Sequence, residues 1–368
     1  MRTPQRGPAA QPDGDAGAEP PQPSRSGRPA QRAVAAVAAV GVSVGLVAWL
    51  LSGVDLDRAR EVLRNANPWW LLVALLVNCV SPYACAYRWL CVIRTCHDVV
   101  PSFALARRAT FLSLVLNSFI PSKGGDLAKA VYLRNQCGLV AGFGTVVVER
   151  MVDLAILGAL GAAGGLIAGA LWGVGIGAAI VTAMAGVFVL LVAPQLHRWF
   201  VPRPLRKKFA QGAAVAAQWL RSPSSVAGTL FGAIVSWGVG ALSFCAFLCA
   251  FGYGEHWAYA LCVFPLGILA GLLPFTMSGV GTRDAAYVSL LAVVAIPAEE
   301  ATLVSFGYTI CGYWLLSLMG LPSVLSEARA WLRERNETAS PGLAPTEETP
   351  PTEAVKFDLS KANRSAHS

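Results

Sequence analysis

Residues 154–196 read LAILGALGAAGGLIAGALWGVGIGAAIVTAMAGVFVLLVAPQL, with no charged side chain anywhere in the run. A helix rising about 1.5 Å per residue needs about 20 apolar residues to cross the ~30 Å of hydrocarbon in a bilayer. The run is long enough for two crossings, folded back on each other near Trp172 and Gly173. Gly161, Gly165, Gly169, Gly173 and Gly177 recur at every fourth position and read as a stripe for close helix packing, not as a ligand site. A chain built around such a run takes the bilayer as its solvent.

The composition agrees. Of 368 residues, 55% are hydrophobic and only 14% are charged, and the mean hydropathy is +0.54. Soluble domains carry about a quarter charged residues, and a soluble fold with far fewer could not cover its own surface. A soluble enzyme, a nucleic-acid-binding module and a secreted disulfide scaffold are excluded together. The net charge of +8 and the pI of about 9.1 are therefore read as membrane topology, and no nucleic-acid partner is expected. Most of the nine cysteines lie inside apolar runs, and Cys91, Cys96 and His97, a grouping of ligand types, fit no zinc spacing. With no HExxH, GxSxG or P-loop pattern, no metal, cofactor or catalytic residue is expected.

Met1 to Arg32 and Asn336 to Ser368 have compositions that cannot bury a core, and both are expected to be disordered cytoplasmic tails. Residues 33–326 form the membrane domain, and residues 327–368 an amphipathic end followed by the tail. The charge-free runs between the tails are unequal. Ala33 to Leu51, Trp69 to Tyr87, Ser224 to Gly254 and Ala301 to Ser326 suffice for a crossing, whereas Ala109 to Ser122, Asn135 to Val148 and Ala285 to Ala298 are too short. Residues 195–223 hold Arg198, Arg203, Arg206, Lys207, Lys208 and Arg221 with no acid, which places them in the cytoplasm. Arg88, Arg94, Arg107 and Arg108 mark an earlier cytoplasmic loop, while Ser52 to Pro68, with balanced charge, falls outside. Parity then favours a re-entrant hairpin over Ala109 to Val148 followed by two full spans between Glu149 and Ala193. Trp257 to Ala298 permits a second hairpin, with four full crossings in either place as the alternative. The expected fold is an all-α polytopic membrane protein of about six to eight transmembrane helices with two broken-helix hairpins. That arrangement is open to an inverted pseudo-repeat.

Two polar loops flank the short runs. The first reads Asn117-Ser118-Phe119-Ile120-Pro121-Ser122-Lys123-Gly124-Gly125-Asp126-Leu127-Ala128-Lys129-Ala130. Proline and paired glycines end one helix, and a new helix is expected from Asp126 as its cap, with Gly138 at its C′ position. Free N–H groups at Gly124 to Leu127, flanked by Lys123 and Lys129, would cradle an anion at membrane depth. The second loop, Pro274-Phe275-Thr276-Met277-Ser278-Gly279-Val280-Gly281-Thr282-Arg283-Asp284, repeats this logic. Gly279-Val280-Gly281 is no dinucleotide fingerprint, because no strand precedes it and the third glycine is missing. Broken helices at corresponding positions of two halves do point to a transporter's binding site. Glu149, Arg150 and Asp153 interrupt an otherwise apolar stretch, where charges are paired or functional. Glu149 and Asp153 share a helical face and Arg150 can pair with Asp153 at spacing three, so a purely structural ion pair is an equal reading.

Pro121-Ser122-Lys123-Gly124-Gly125-Asp126, Val148-Glu149-Arg150-Met151-Val152-Asp153-Leu154 and Ser278-Gly279-Val280-Gly281-Thr282-Arg283-Asp284 together resemble a flippase-like family. It is named after the transmembrane region of lysylphosphatidylglycerol synthase, and the resemblance runs from about Ala33 to Leu321. The family usually has glutamate after the second-loop arginine; here the residue is Asp284. The resemblance implies a bacterial plasma-membrane protein that moves an anionic phospholipid or a lipid-linked phosphate between leaflets. Lys123, Lys129 and Arg283, with N–H groups of both loops, would hold the phosphate. Asp126, Glu149, Asp153 and Asp284 would pair these cations when the site is empty. In the synthase this region is fused to a soluble aminoacyl-transferase domain, and the expected C-terminal tail stands in its place, so lysylating activity is not carried over. Two other readings are a membrane-embedded transferase using Asp126, Asp284 or Glu149 as general base, and an accessory subunit partnering a separate glycosyl- or aminoacyl-transferase.

Overall fold

The computed structural model describes residues 28–96, 99–193, 195–196, 201–273 and 276–339. The expected tails, apart from their helical margins, lie outside the described residues, as do His97, Pro274 and Phe275. The chain divides into two compact units, residues 1–324 and 325–368, the described part of the second being the end of the last helix. Among the described residues every regular element is helical.

Helix α1 (Arg28–Ser52) meets α2 (Leu56–Asn65) at a bend of 83°. The break is made by Asp55, whose carboxylate accepts the N–H groups of Asp57 (2.9 Å) and Arg58 (3.2 Å) and so caps α2. Much of Ser52 to Pro68, expected as a loop, is therefore helix. Helices α3 (Pro68–Asn78) and α4 (Ser81–Ile93) form one apolar path of 26 residues. After α5 (Phe103–Phe119) a 3₁₀ turn at Pro121–Asp126 leads into the short α6 (Leu127–Tyr132), then α7 (Leu139–Ile167) and α8 (Leu171–Val192). The basic loop contains α9 (Arg206–Leu220) and is followed by α10 (Pro223–Ala250) and α11 (Trp257–Ala270). A second turn at Met277–Gly279 opens α12 (Thr282–Leu291). Finally, α13 (Ala298–Thr309) runs through a π-helical stretch, Ile310–Leu315, into α14 (Leu316–Ala339). The order helix, turn, short helix, long helix thus occurs twice, and the two turns pack against each other.

Several boundaries differ from those expected. Asn135 to Val148 is not a returning arm, because α7 begins at Leu139 and continues unbroken for 29 residues. Its charged residues are matched by neighbouring helices, so nothing forces a break there. The helix expected from Asp126 starts at Leu127 and stops at Tyr132; Asp126 caps nothing, its carboxylate being turned toward α5. Gly138, at φ 80°, opens α7 instead of closing α6. The α7–α8 turn falls at Ala168 to Ala170, slightly ahead of Trp172. The run from Trp257 breaks after Ala270, and a helix of 14 residues rises only about 21 Å, short of the hydrocarbon thickness. Helix α11 alone therefore does not make a full crossing.

Four helical paths among the described residues are long and apolar enough to cross a membrane: Pro68–Ile93, Leu171–Val192, Pro223–Ala250 and Ala298–Arg329. A fifth follows if the bent pair of α1 and α2 is one path. The expected six to eight also counted α7, which rises about 43 Å but carries three charged residues, and the short arms. Close packing joins α7 to α8, as the glycine spacing requires. A Cβ on Gly165 would lie 2.9 Å from Val174 N, and one on Gly158 would lie 2.9 Å from Gly177 O. Two apolar cores result, one around Trp89, Val152 and Trp219, the other around Phe244, Phe264 and Tyr287.

Candidate functional site

Helices α4, α6 and α7 and the first turn bring six charged side chains together. Glu149, fully buried on α7, accepts from Arg88 Nε (3.1 Å) and Nη2 (2.7 Å) and from Lys129 Nζ (2.9 and 2.7 Å to its two oxygens). Arg88 Nη1 donates to Asp153 Oδ1, which also receives the indole N–H of Trp237 at 2.7 Å. Asp126 accepts from the Ser113 hydroxyl (2.7 Å) and the Asn117 amide (3.0 Å). Arg150 lies between Asp126 (3.3 Å) and Asp153 (3.2 Å). Three cations meet three carboxylates, so the cluster is neutral as a whole, the condition under which buried charge is tolerable.

Helix geometry explains the assembly. Glu149 and Asp153 lie one above the other on α7 and together present a two-carboxylate face to Arg88. Helix α10 packs closely on α4 at Arg88 because Gly232 has no side chain; a Cβ there would sit 2.9 Å from Arg88 Cβ and 3.1 Å from Ala84 O. Gly125 is needed for the same reason, since its Cβ would meet Asn117 N at 2.5 Å and Oδ1 at 2.8 Å. Its bare backbone lets the turn seat Asp126 against α5.

The six groups are not held alike. Arg88, Lys129 and Glu149 are buried and hydrogen-bonded to one another. Arg150 exposes 30% of its side chain, and neither of its carboxylate contacts has hydrogen-bond alignment. It faces a cavity of about 90 Å³ lined by Asn78, Ser113, Asp126, Trp237, Tyr308 and Tyr313 among others.

Of the residues expected at the site, Asp126, Lys129, Glu149, Arg150 and Asp153 come together, whereas Arg283 and Asp284 form a separate pair of contacts. Asp284 accepts from Gly281 N (2.9 Å), Ser305 Oγ (2.5 Å) and Thr309 Oγ1 (3.0 Å). Arg283, fully buried, donates from Nη2 to Thr309 Oγ1 (2.7 Å), so the threonine hydroxyl bridges the two; its guanidinium lies 4.0 Å from the Tyr313 ring centre. No ion pair joins Arg283 to Asp284 or to the six-residue cluster among the described residues, contrary to the expected pairing. The physical reason is that Asp284 is spent on capping α12 and on hydroxyl donors. Tyr313 lines the cavity and stacks on Arg283, placing one aromatic ring between the two groups.

The anion cradle is also smaller than expected. The N–H of Leu127 is bonded within its own turn to Gly124 O and Gly125 O, and that of Gly281 is taken by Asp284. Ser278, Gly279 and Gly281 all have positive φ and form a tight turn, with Thr282 Oγ1 2.9 Å from Thr276 Oγ1. Lys123 lies in the first turn, and its side chain is outside the described residues. Arg88 is the largest correction. Expected in a cytoplasmic loop, it is 1% exposed and sits at the centre of the network. Its apolar flanks, Tyr87, Trp89 and Leu90, were the available signal, the same one that singled out Glu149.

The fold and site define a class: an all-α membrane protein with two broken-helix segments and a buried, charge-balanced cluster built from α4, the first turn, α6 and α7. The chain belongs to the family described as the lysylphosphatidylglycerol synthase TM region, whose model matches residues 36–320. It is also similar to a UPF0104 membrane protein of Methanocaldococcus jannaschii, 29% identical over 111 residues, which is 29% of this chain and 33% of that protein. A UPF0104 membrane protein of Pyrococcus horikoshii is 25% identical over 118 residues, 31% of this chain and 35% of that protein. The matched segments span about a third of the length of each archaeal relative.

Proposed function

We propose that this protein translocates an anionic phospholipid or a lipid-linked phosphate across the plasma membrane, with residues 195–223 and both termini on the cytoplasmic side. The observation that carries this reading is Arg150, a cation loosely held between two carboxylates and facing a cavity to which both halves of the membrane domain contribute lining residues. A phosphate accepts guanidinium donors in a bidentate geometry that Asp126 and Asp153 do not offer here. When Arg150 turns to a phosphate, Asp126 keeps Ser113 and Asn117, and Asp153 keeps Arg88 and Trp237. The cluster therefore survives the loan of one cation. The cavity of about 90 Å³ has room for about three waters, so a headgroup enters as the two broken-helix segments part. A lipid-processing transferase that supplies the substrate is the expected protein partner.

Leaflet exchange of fluorescent phosphatidylglycerol, phosphatidylinositol and a polyprenyl phosphate in proteoliposomes tests the proposal. Wild-type protein should accelerate exchange of at least one anionic lipid over protein-free vesicles, and Arg150→Gln, checked for folding by thermal unfolding, should slow it by about tenfold, the effect of about 1.4 kcal/mol. Exchange no faster than in empty vesicles for the whole panel would refute the reading. Appearance of a modified lipid when a donor is supplied would mark an embedded transferase instead.

A further inference from the structure

On the opposite side of α6 and of the start of α7 from the charged cluster lies an apolar groove of about 610 Å³. Leu127 and Val131 of α6, Phe143 and Val147 of α7, and Phe209 and Gly212 of α9 form much of its wall. Lys208 is its one charged lining residue, at the N-terminal end of α9. Leu127, Val131, Leu139, Phe143 and Leu205 around it are all exposed large apolar side chains, which suits hydrocarbon and not water. The lining positions Leu205, the N-cap of α9, Lys208, Phe209, Gly212, Ala213 and Ala216 recur at helical spacing along one face. The volume falls within the range of about 300–1,000 Å³ usual for ligand sites.

Charge selects the occupant. Lys207 and Lys208 are exposed, residues 195–223 contain no acid, and neither lysine has an ion-pair partner among the described residues. An apolar trough ending in unpaired ammonium groups complements an amphiphile with an apolar chain and an anionic head. We infer that the groove binds one anionic glycerophospholipid from the surrounding bilayer, an acyl chain lying along α9 and the phosphate resting on Lys207 and Lys208. The site shares no residue with the charged cluster and does not depend on transport. Its occupant contacts α6, the helix that carries Lys129, from behind.

The test is native mass spectrometry of the full chain in detergent, with added phosphatidylglycerol or phosphatidylcholine of identical chains. Wild-type protein should retain phosphatidylglycerol over phosphatidylcholine by about tenfold or more, given what two lysines contribute near an anionic headgroup. The double variant Lys207→Glu, Lys208→Glu should lose that preference. Gly212→Leu should lower retention of both lipids, since a Cβ at Gly212 meets only Val140 O at 3.9 Å and the larger side chain enters the groove. Thermal unfolding confirms that each variant is folded. Equal retention of both lipids by the wild type would overturn the assignment, as would retention unchanged in folded Gly212→Leu. Competition by glycerol phosphate, which has the head but no chain, would also overturn it, by marking a free-phosphate site.

Discussion

Glu149→Gln should be among the most damaging single substitutions in the protein, and the reason can be worked from four distances. The carboxylate accepts two bonds from Arg88 (3.1 and 2.7 Å) and two from Lys129 (2.9 and 2.7 Å) at a fully buried position. At an effective dielectric of about 20, an opposite charge 2.7 Å away is worth on the order of 6 kcal/mol before desolvation is subtracted. Removing one member of a buried pair costs about 3–5 kcal/mol net, because the remaining charge stays buried without its partner. Glutamine keeps the shape but leaves the cluster with one excess positive charge. The melting temperature in detergent should fall by roughly 10 °C, taking roughly 2–4 °C per kcal/mol. Lys129→Met alone errs in the other direction and should also destabilise. The double variant restores neutrality and leaves Arg88 with Asp153. It should cost less than the sum of the single changes by about 2 kcal/mol, within the range of about 0.5–3 kcal/mol for contacting residues. Strict additivity of the two substitutions, or a wild-type melting temperature for Glu149→Gln, would show that the six charges do not act as one balanced unit.

Two further outcomes are expected. Gly164→Ala should destabilise by about 1–3 kcal/mol, since its Cβ would lie 2.5 Å from Cys262 N and 2.6 Å from Leu261 C; Gly175→Ala, with nothing within 4 Å, should be neutral in the same unfolding assay. Tyr313→Leu should lower stability by about 1–2 kcal/mol through loss of the face on which Arg283 rests, whereas Tyr313→Phe should retain it; equal melting temperatures for the two would remove the cation–π role.

The class of fold was legible because bilayer thickness acts on every span at once: the charge-free run from 154 to 196 could be nothing but two helices, and α7 and α8 are those helices. Helix boundaries near charge were less legible. The sequence around Glu149 reads as an interruption, yet α7 passes straight through it, since Arg88 and Lys129 arrive from other helices to cancel the cost. Counting arginines by loop gave Arg88 the wrong environment for the same reason. A topology rule weighs charges by position along the chain, while burial depends on partners distant in sequence, here 61 residues away at Glu149. The acids were found, and with them the pairing of Arg150 with Asp153 and of Lys129 with a carboxylate; Arg88 as the partner of Glu149 and Asp153 was not. Asp284 resembles Asp126 in its motif, but hydroxyls of Ser305 and Thr309, invisible as partners in the sequence, occupy it.

The neutrality of the six-residue cluster also bears on how this protein responds to voltage. A net charge carried across a membrane potential of 100 mV gains or loses about 2.3 kcal/mol, whereas a neutral group gains or loses nothing to first order. On the proposed transport reading, three positive and three negative groups moving as a body would leave the empty site indifferent to the field, and the molecule would become sensitive to it only with an anion aboard. Any current-generating step would then belong to the loaded protein, and the return of the empty one would run at the same rate in energised and de-energised membranes.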